Sequence, residues 1–171
     1  MLTPPLDASD HIAGPPEAEL ELVMYGDFQC PYSTAAFPIV RRIRDQLGGR
    51  LLFAFRNFPL REIHPDAERA AEAAEAATAQ GAFWQMHDRM YESGGALSRE
   101  DLIGYASELG LDAERVSAEL ASEVHRPRVQ RDVDSGIASR VTGTPGFFVG
   151  GQMYGGSFDA QSLTTALETS G

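Results

Sequence analysis

The chain has 171 residues and a net charge of −11, and all 14 of its strongly basic residues are arginine. This length suits one domain that buries a core without disulfides, and the single cysteine excludes an intramolecular disulfide. The acidic surface disfavours nucleic acid and anionic membranes as partners, and the absence of lysine excludes a lysine nucleophile or Schiff base.

Residues 1–18 are polar and proline-rich, and they predict a flexible lead-in to a domain over residues 19–171. They contain no apolar h-region of a signal peptide, and no stretch approaches the ~20 apolar residues of a membrane span. As written, the sequence predicts a cytoplasmic protein. A periplasmic or other extracytoplasmic location is expected if a signal was trimmed, and membrane association only if the chain was excised from a larger protein.

The first third of the chain predicts a β-α-β unit. Residues 20–25 are a short apolar run that is typical of a buried strand. Apolar residues then recur at helical spacing over residues 31–47, where Gly48 ends the helix, and Pro38 is expected to kink or divide it. Residues 51–58 read as a second strand. A crossover of this kind joins parallel neighbours in a sheet.

The rest of the chain predicts helices and then a return to β structure. Four helical segments between about residues 66 and 126 form an all-α insertion, and a longer helix follows at about residues 127–140. Apolar runs at residues 146–149 and 152–154 flank Gly150 and Gly151, which is a hairpin signal, and residues 159–168 close the chain as a helix. This order predicts an α/β domain with a mixed sheet and a helical insertion.

Cys30 lies at the junction of the first strand and the first helix. Unpaired N–H groups and the dipole at a helix N-terminus favour a thiolate over a thiol. Pro31 suits the first helical turn, and Tyr32 adds an aromatic flank. Because α/β sheets place their sites at the carboxyl ends of parallel strands, we expect an exposed, activated nucleophile at Cys30 rather than a buried structural thiol.

Ser33 follows one helical turn after Cys30. Its hydroxyl can face the sulfur and bind the thiolate, or it can be an ordinary helix-surface serine, and the sequence leaves both uses open. It cannot resolve a mixed disulfide, because that step needs a second thiol. An external thiol must therefore release any partner bound to Cys30.

A second motif, Gly143-Thr144-Pro145, precedes the predicted strand at residues 146–149. The Thr144-Pro145 bond is either cis, which would leave the Thr144 backbone groups unpaired and exposed, or that of an ordinary loop proline. The spacing alone leaves both alternatives open.

Other candidate residues carry less weight. Asp27 is expected to be a solvated carboxylate at a strand end rather than a proton acceptor for the sulfur. His11 and His125 fall in polar stretches, and no residue pairs with Cys30 at metal-ligand spacing, so no metal site is predicted. The aromatic and methionine side chains of residues 83–90 are expected to pack in the core rather than to hold a cofactor.

Several motifs, in order and at suitable spacing, resemble the DsbA-like thiol–disulfide oxidoreductases of the thioredoxin fold, including a bacterial branch that is sometimes fused to sodium/proton antiporters. The resemblance runs from about Asp10 to Glu168. The matching motifs are YGDFQCPY at residues 25–32, FRNFPL at 55–60 with His64-Pro65, the helix at 70–77 with Phe83, Trp84, Met86 and His87, and Gly143-Thr144-Pro145 with FFVG at 147–150.

The resemblance implies that Cys30 is the nucleophile, that Pro145 is cis beside the sulfur, and that the Thr144 backbone pairs with an extended substrate by strand addition. Ser33 stands where the family has its resolving cysteine. The resemblance therefore implies attack on disulfides without an intramolecular disulfide of the protein's own. A natural monothiol member and a cysteine-to-serine change that traps mixed disulfides both fit this sequence.

The expected function is that of a monothiol protein disulfide oxidoreductase or isomerase, which forms mixed disulfides with proteins, peptides or small thiols. It would need no cofactor and no metal, with glutathione or another low-molecular-weight thiol as a possible co-substrate. Two alternatives are open: a kappa-type glutathione transferase-like enzyme, and a redox-inactive peptide-binding or chaperone-like module that uses the groove beside Thr144 and Pro145.

Overall fold

A computed structural model describes residues 1–171, which contain five strands and seven α-helices. The strands are β1 (His11–Ala13), β2 (Leu20–Gly26), β3 (Leu51–Asn57), β4 (Gly146–Val149) and β5 (Gln152–Met153). The helices are α1 (Pro31–Leu47), α2 (Ala67–Thr78), α3 (Phe83–Tyr91), α4 (Arg99–Glu108), α5 (Ala113–Ser122), α6 (Arg126–Ala138) and α7 (Ala160–Ser170).

The strands form one mixed sheet in the order β1-β3-β2-β4-β5. β2 and β3 pair in parallel, from Leu20 opposite Leu51 to Gly26 opposite Asn57. β1 joins β3, β4 joins β2 and β5 joins β4, all in antiparallel pairs. The predicted α/β class, the parallel β-α-β unit and the hairpin at Gly150-Gly151 are therefore confirmed, and the fold is thioredoxin-like.

Both faces of the sheet are buried, which explains the continuous apolar run of β2. Leu22 and Met24 point into the larger core cluster, which also takes side chains from α1, α7 and the insertion helices. Val23 and Tyr25 point into a smaller cluster with Val129 of α6. Side chains that alternate along one strand thus meet helices on both sides, and the sheet is packed on both faces at the end where Cys30 follows.

Helix α1 is one continuous helix that begins at Pro31 and ends at Gly48, whose φ of 52° favours glycine. The expectation that Pro38 divides this helix is wrong. Pro38 is exposed, so the carbonyl that loses its helical N–H partner is free to bind water. The predicted insertion is present as α2 to α5, and the structure shows a capping box at Ser98 and an N-cap at Asp112.

The lead-in predicted for residues 1–18 packs instead on the domain. β1 extends the sheet beside β3, and Leu2 is buried in the smaller core cluster. The Arg56 guanidinium donates to both carboxylate oxygens of Asp10, at 2.7 and 3.0 Å, and to the Pro4 carbonyl at 3.1 Å. A strand of three residues is too short to show alternating polar and apolar side chains, and the residues that β1 pairs with are distant in the sequence. A local sequence pattern could therefore not predict β1.

Candidate active site

Cys30 lies where the sequence predicts it, between the end of β2 and the start of α1. It is the N-cap residue of α1, with extended backbone angles (φ −70°, ψ 123°), and its carbonyl accepts the Thr34 N–H at 3.0 Å. The N–H groups of Tyr32 and Ser33 have no acceptor within the chain. Free amides at a helix N-terminus stabilise negative charge, so this turn favours an anionic group beside Cys30.

The Asp27 carboxylate shapes the turn that carries Cys30. Its Oδ1 accepts the backbone N–H groups of Gln29, at 2.7 Å, and of Cys30, at 3.1 Å. An aspartate that binds backbone amides two and three residues later closes a tight loop. The expectation of a solvated carboxylate is wrong, because Asp27 is only 1% exposed.

The same carboxylate joins the Cys30 turn to the loop that follows β3. Asp27 Oδ2 accepts the Leu60 backbone N–H at 2.9 Å and lies 2.8 Å from Nδ1 of His64, which is partly exposed. Gln29 adds a second link, because its side-chain carbonyl accepts the Asp66 N–H at 2.8 Å. Two loops that are distant in the sequence are therefore fixed to each other beside the sulfur.

The Cys30 thiol faces the loop that carries the second predicted motif. Its Sγ donates to the Thr144 carbonyl oxygen at 3.5 Å, and the Thr144-Pro145 peptide bond is cis, which is one of the two predicted alternatives. The Thr144 N–H has no partner in the chain, and neither has its buried Oγ1. The unpaired N–H and hydroxyl of Thr144 thus lie on the residue that contacts the Cys30 sulfur.

The expectation that Cys30 is exposed is wrong, because only 3% of its surface is accessible. Its neighbours Pro31 and Tyr32 are exposed, and 67% of Tyr32 is accessible. The turn bound by Asp27 holds the cysteine backbone inward, whereas a local pattern shows only that the residue begins a helix. The hydrogen-bond partner of the buried sulfur is the carbonyl of Thr144.

Ser33 lies behind Cys30 and is fully buried. Its Oγ accepts the Asp27 backbone N–H at 3.3 Å and makes no hydrogen bond to the sulfur, so the helix-surface interpretation is wrong. The Tyr91 hydroxyl is buried nearby without a well-formed hydrogen bond. Burial, with the Asp27 carboxylate close by, raises the pKa of Tyr91 well above its ordinary value. Sequence reasoning missed Tyr91.

The side chains predicted to pack in the core do so beneath the site. Phe83, Met86 and Met90 are buried, and Phe28, two residues before Cys30, packs against Tyr91 with ring centroids 4.9 Å apart. His87 completes this aromatic cluster, and burial lowers its pKa even though Asp88 binds its Nδ1 at 2.8 Å. The cluster is structural support for the Cys30 turn.

A groove of about 360 Å³ runs beside the site, and we call it the Thr144 groove. Its lining includes Tyr32, Arg140, Thr144, Pro145, Tyr154 and Phe158. A larger cavity of about 480 Å³ lies elsewhere, around Arg56 and Asp132. Most of the charged groups of that cavity already pair within the chain, as Arg56 does with Asp10 and Asp132 with Arg128, so the groove is the better candidate for substrate.

The structure brings together most of the residues singled out from the sequence. Cys30 and Thr144 are in contact, while Tyr32, Gly143, Thr144 and Pro145 share the groove. Asp27 and His64 also take part, in contacts that were not among the sequence-based predictions. The spacing of Asp27 to Gln29 and Cys30 carried a turn signal, whereas the contact with His64 spans 37 residues and had none.

No group of three or more His, Cys, Asp or Glu is arranged to hold a metal ion. None of the helices has the length and apolar character needed to cross a membrane.

Comparison with known proteins places these features in one family. The model of the DSBA-like thioredoxin domain matches residues 21–168. The chain is 44% identical over 158 residues to Na(+)/H(+) antiporter NhaA 1 of Salinispora arenicola, covering 92% of this chain and 24% of that protein. It is 45% identical over 171 residues to Na(+)/H(+) antiporter NhaA of Herminiimonas arsenicoxydans, covering 99% and 27%. The chain thus spans about a quarter of the length of these relatives.

Solved structures share the fold at lower sequence identity. Oxidised BdbD from Bacillus subtilis has a TM-score of 0.86 and 20% identity, covering 95% of this chain and 92% of that one. A thioredoxin-like oxidoreductase from Silicibacter pomeroyi has a TM-score of 0.82 and 24% identity, covering 95% and 92%. A periplasmic thioredoxin-like protein from Salmonella enterica serovar Typhimurium has a TM-score of 0.74 and 17% identity, covering 96% and 91%.

Proposed function

The chain belongs to the family of DSBA-like thioredoxin domains, and from this premise we propose that it is a monothiol thiol–disulfide oxidoreductase. Cys30 is its nucleophile, and disulfide-bonded proteins, peptides or small thiols are its substrates. It uses no cofactor, and a low-molecular-weight thiol such as glutathione serves as co-substrate. The periplasmic neighbour supports a location outside the cytoplasm, where disulfides form and persist.

One observation carries this proposal: the Cys30 sulfur lies 3.5 Å from the carbonyl of Thr144, the residue before cis-Pro145. A substrate chain that pairs with the free Thr144 N–H would lie in extended form along this loop. Its disulfide would then lie next to Cys30, at the free amides of the α1 N-terminus. The same residues therefore hold the substrate backbone and present the nucleophile.

The chemistry needs two exchanges. In the first, the Cys30 thiolate attacks one sulfur of the substrate disulfide, which forms a Cys30–substrate disulfide and releases the other half as a thiolate. In the second, an external thiolate attacks the mixed disulfide, which restores the Cys30 thiolate and leaves the substrate joined to the external thiol. Ser33 cannot perform this second attack, so the mixed disulfide accumulates until an external thiol arrives.

The test is to trap this intermediate. Wild-type protein is incubated with glutathione disulfide, quenched with acid and measured by intact mass. We expect one adduct, which is absent in Cys30→Ala and is released by added thiol. In Ser33→Cys, we expect the adduct to decay without added thiol, because the introduced thiol attacks it and forms an intramolecular disulfide with Cys30. An adduct that never forms on the folded wild-type protein would refute the proposal.

The low exposure of Cys30 favours a second candidate function, that of a redox-inactive peptide-binding or chaperone-like module. Such a module would use the Thr144 groove, and the thiol would only fill space. Binding of an unfolded, cysteine-free peptide to wild type and to Cys30→Ala separates the two functions. Equal binding together with an unreactive wild-type thiol would establish the module.

A further inference from the structure

The Thr144 groove contains one charged side chain, that of Arg140. The rest of its lining is aromatic, aliphatic or small polar, with Tyr32 and Tyr154 among its walls. The chain as a whole has a net charge of −11, whereas the charged side chain that lines the groove is positive. The groove is therefore electrostatically suited to an anionic ligand.

Arg140 is one of two non-glycine residues with a left-handed backbone, with a φ of 64° against 53° for Glu123. It lies two residues after the last residue of α6. At this helix end the Arg140 N–H donates to the Ile137 carbonyl at 3.0 Å, and the Val141 N–H donates to the Gly136 carbonyl at 2.8 Å. Helices commonly end in this way with glycine, since a side chain is unfavourable at a left-handed position. Arginine at this position points to a role for its side chain.

The Arg140 guanidinium makes no hydrogen bond or ion pair within the chain. By contrast, Arg128 and Arg131 on the preceding helix pair with Asp132 and Asp7. A free guanidinium presents a planar set of donors that matches the two oxygens of a carboxylate. Arg140 is thus available to a carboxylate that enters the groove.

We infer that Arg140 binds a carboxylate of the substrate, so that the groove accepts a tripeptide-sized acidic thiol held in a disulfide, the glutathione class. This inference rests on the proposed function, which requires an external thiol because Ser33 cannot resolve the mixed disulfide. The groove volume of about 360 Å³ falls in the range of small-molecule sites, and Thr144 offers backbone groups to a short peptide. Arg140 makes no bond to the sulfur and acts by orienting the ligand.

The experiment compares disulfides of similar size and different charge. The probes are dithiodipropionate, which carries two carboxylates, neutral bis(2-hydroxyethyl) disulfide, and cystamine, which carries two ammonium groups. Glutathione disulfide is the fourth probe. Second-order rate constants for adduct formation at Cys30 are measured by intact mass. The variants are Arg140→Gln and, as the matched control, Arg42→Gln, which removes an exposed and unpaired arginine of α1 outside the groove.

We expect Arg140→Gln to lower the rate ratio of dithiodipropionate to the neutral probe about three- to tenfold, with a similar loss for glutathione disulfide relative to the neutral probe. Arg42→Gln changes the net charge by the same amount but lies outside the groove, so it should leave both ratios near those of wild type. An unchanged ratio in Arg140→Gln overturns the inference. If the rate ratio falls for dithiodipropionate but not for glutathione disulfide, the inference of a tripeptide-sized ligand is overturned, and a smaller acidic disulfide is the substrate.

Arg140→Gly separates recognition from a structural role. Glycine relieves the left-handed strain, so we expect a higher urea midpoint together with the same loss of carboxylate preference. A variant that is destabilised and keeps the preference contradicts the inference. Wild-type protein that reacts with none of the four probes refutes the proposed function itself, which is a result distinct from a changed ratio.

Discussion

Asp27 is the residue that gives the Cys30 turn its geometry. Its two carboxylate oxygens accept three backbone N–H groups and contact the His64 ring. Hydrogen bonds to an ionised, buried acceptor are stronger than those between neutral groups, and leaving a buried donor unpaired costs about 1–3 kcal/mol. A single carboxylate thus holds together the loop of the nucleophile and the loop of His64.

Replacement of this carboxylate should affect both stability and thiol exchange. We expect Asp27→Ala to lower the free energy of unfolding by about 3–5 kcal/mol, because several buried donors lose their acceptor together. We also expect a slower rate of adduct formation at Cys30 in the protein that remains folded. Urea unfolding gives the first quantity and intact mass gives the second.

His64→Ala is the control for that prediction, because it removes one of the four contacts and leaves the three backbone contacts of Asp27 in place. Its loss of stability should be clearly smaller. If Asp27→Ala unfolds at the same urea concentration as wild type, the carboxylate does not hold the turn.

At the scale of the elements, helix α2 carries a buried group that works against stability. Glu72 is only 6% exposed, and its Oε1 has no hydrogen-bond partner. Burial, with repulsion from Glu68 and Glu123, raises the pKa of Glu72 from its ordinary 4.5 to about 7. The folded state therefore holds a proton on Glu72 that the unfolded state releases, so the contribution of Glu72 to stability falls as the pH rises from 4.5 to 7.

Glu72→Gln should remove this pH dependence. Each unit of pKa shift corresponds to about 1.4 kcal/mol. After allowance for solvent screening of the charges around Glu72, we expect a gain of about 1–2 kcal/mol at pH 8. Little gain is expected at pH 4. Urea unfolding across this pH range measures the difference, with Glu62→Gln in an exposed loop as the control. An equal gain at both pH values would show that charge on Glu72 is not the cause.

The elements also show what the sequence can and cannot predict. Periodicity and caps predicted β2 to β5 and the helices, because these signals lie within a few residues of each other. β1 escaped detection because its position depends on contacts that are distant in the sequence. It pairs with β3, and the ring of its first residue, His11, stacks on Phe83 with ring centroids 3.5 Å apart. Cys30, Thr144 and Pro145 were visible as motifs. The burial of Asp27 depends on tertiary contacts, which no local pattern encodes.

At the scale of the whole molecule, the N-terminal segment is attached through buried charge rather than through apolar area alone. The side chains of Arg56 and Asp10 are each 2% exposed. Arg56 also donates to the Pro4 and Pro5 carbonyls and to the Tyr25 hydroxyl. One guanidinium therefore joins residues 4–10 to two central strands of the sheet.

Arg56→Met should release this segment. Removing one partner of a buried ion pair leaves the other charge unpaired, so we expect the free energy of unfolding to fall by about 3–5 kcal/mol. Asp10→Asn keeps an acceptor for the guanidinium and should cost less. Limited proteolysis should cleave within residues 1–10 of folded Arg56→Met and spare wild type, since a detached chain is open to proteases. The contrary result is a free energy of unfolding of Arg56→Met that falls by less than about 1 kcal/mol, with the N-terminus still resistant to proteolysis. In that case the Arg56–Asp10 pair is not the link between the N-terminus and the sheet, and other contacts, such as that of the buried Leu2, hold the segment.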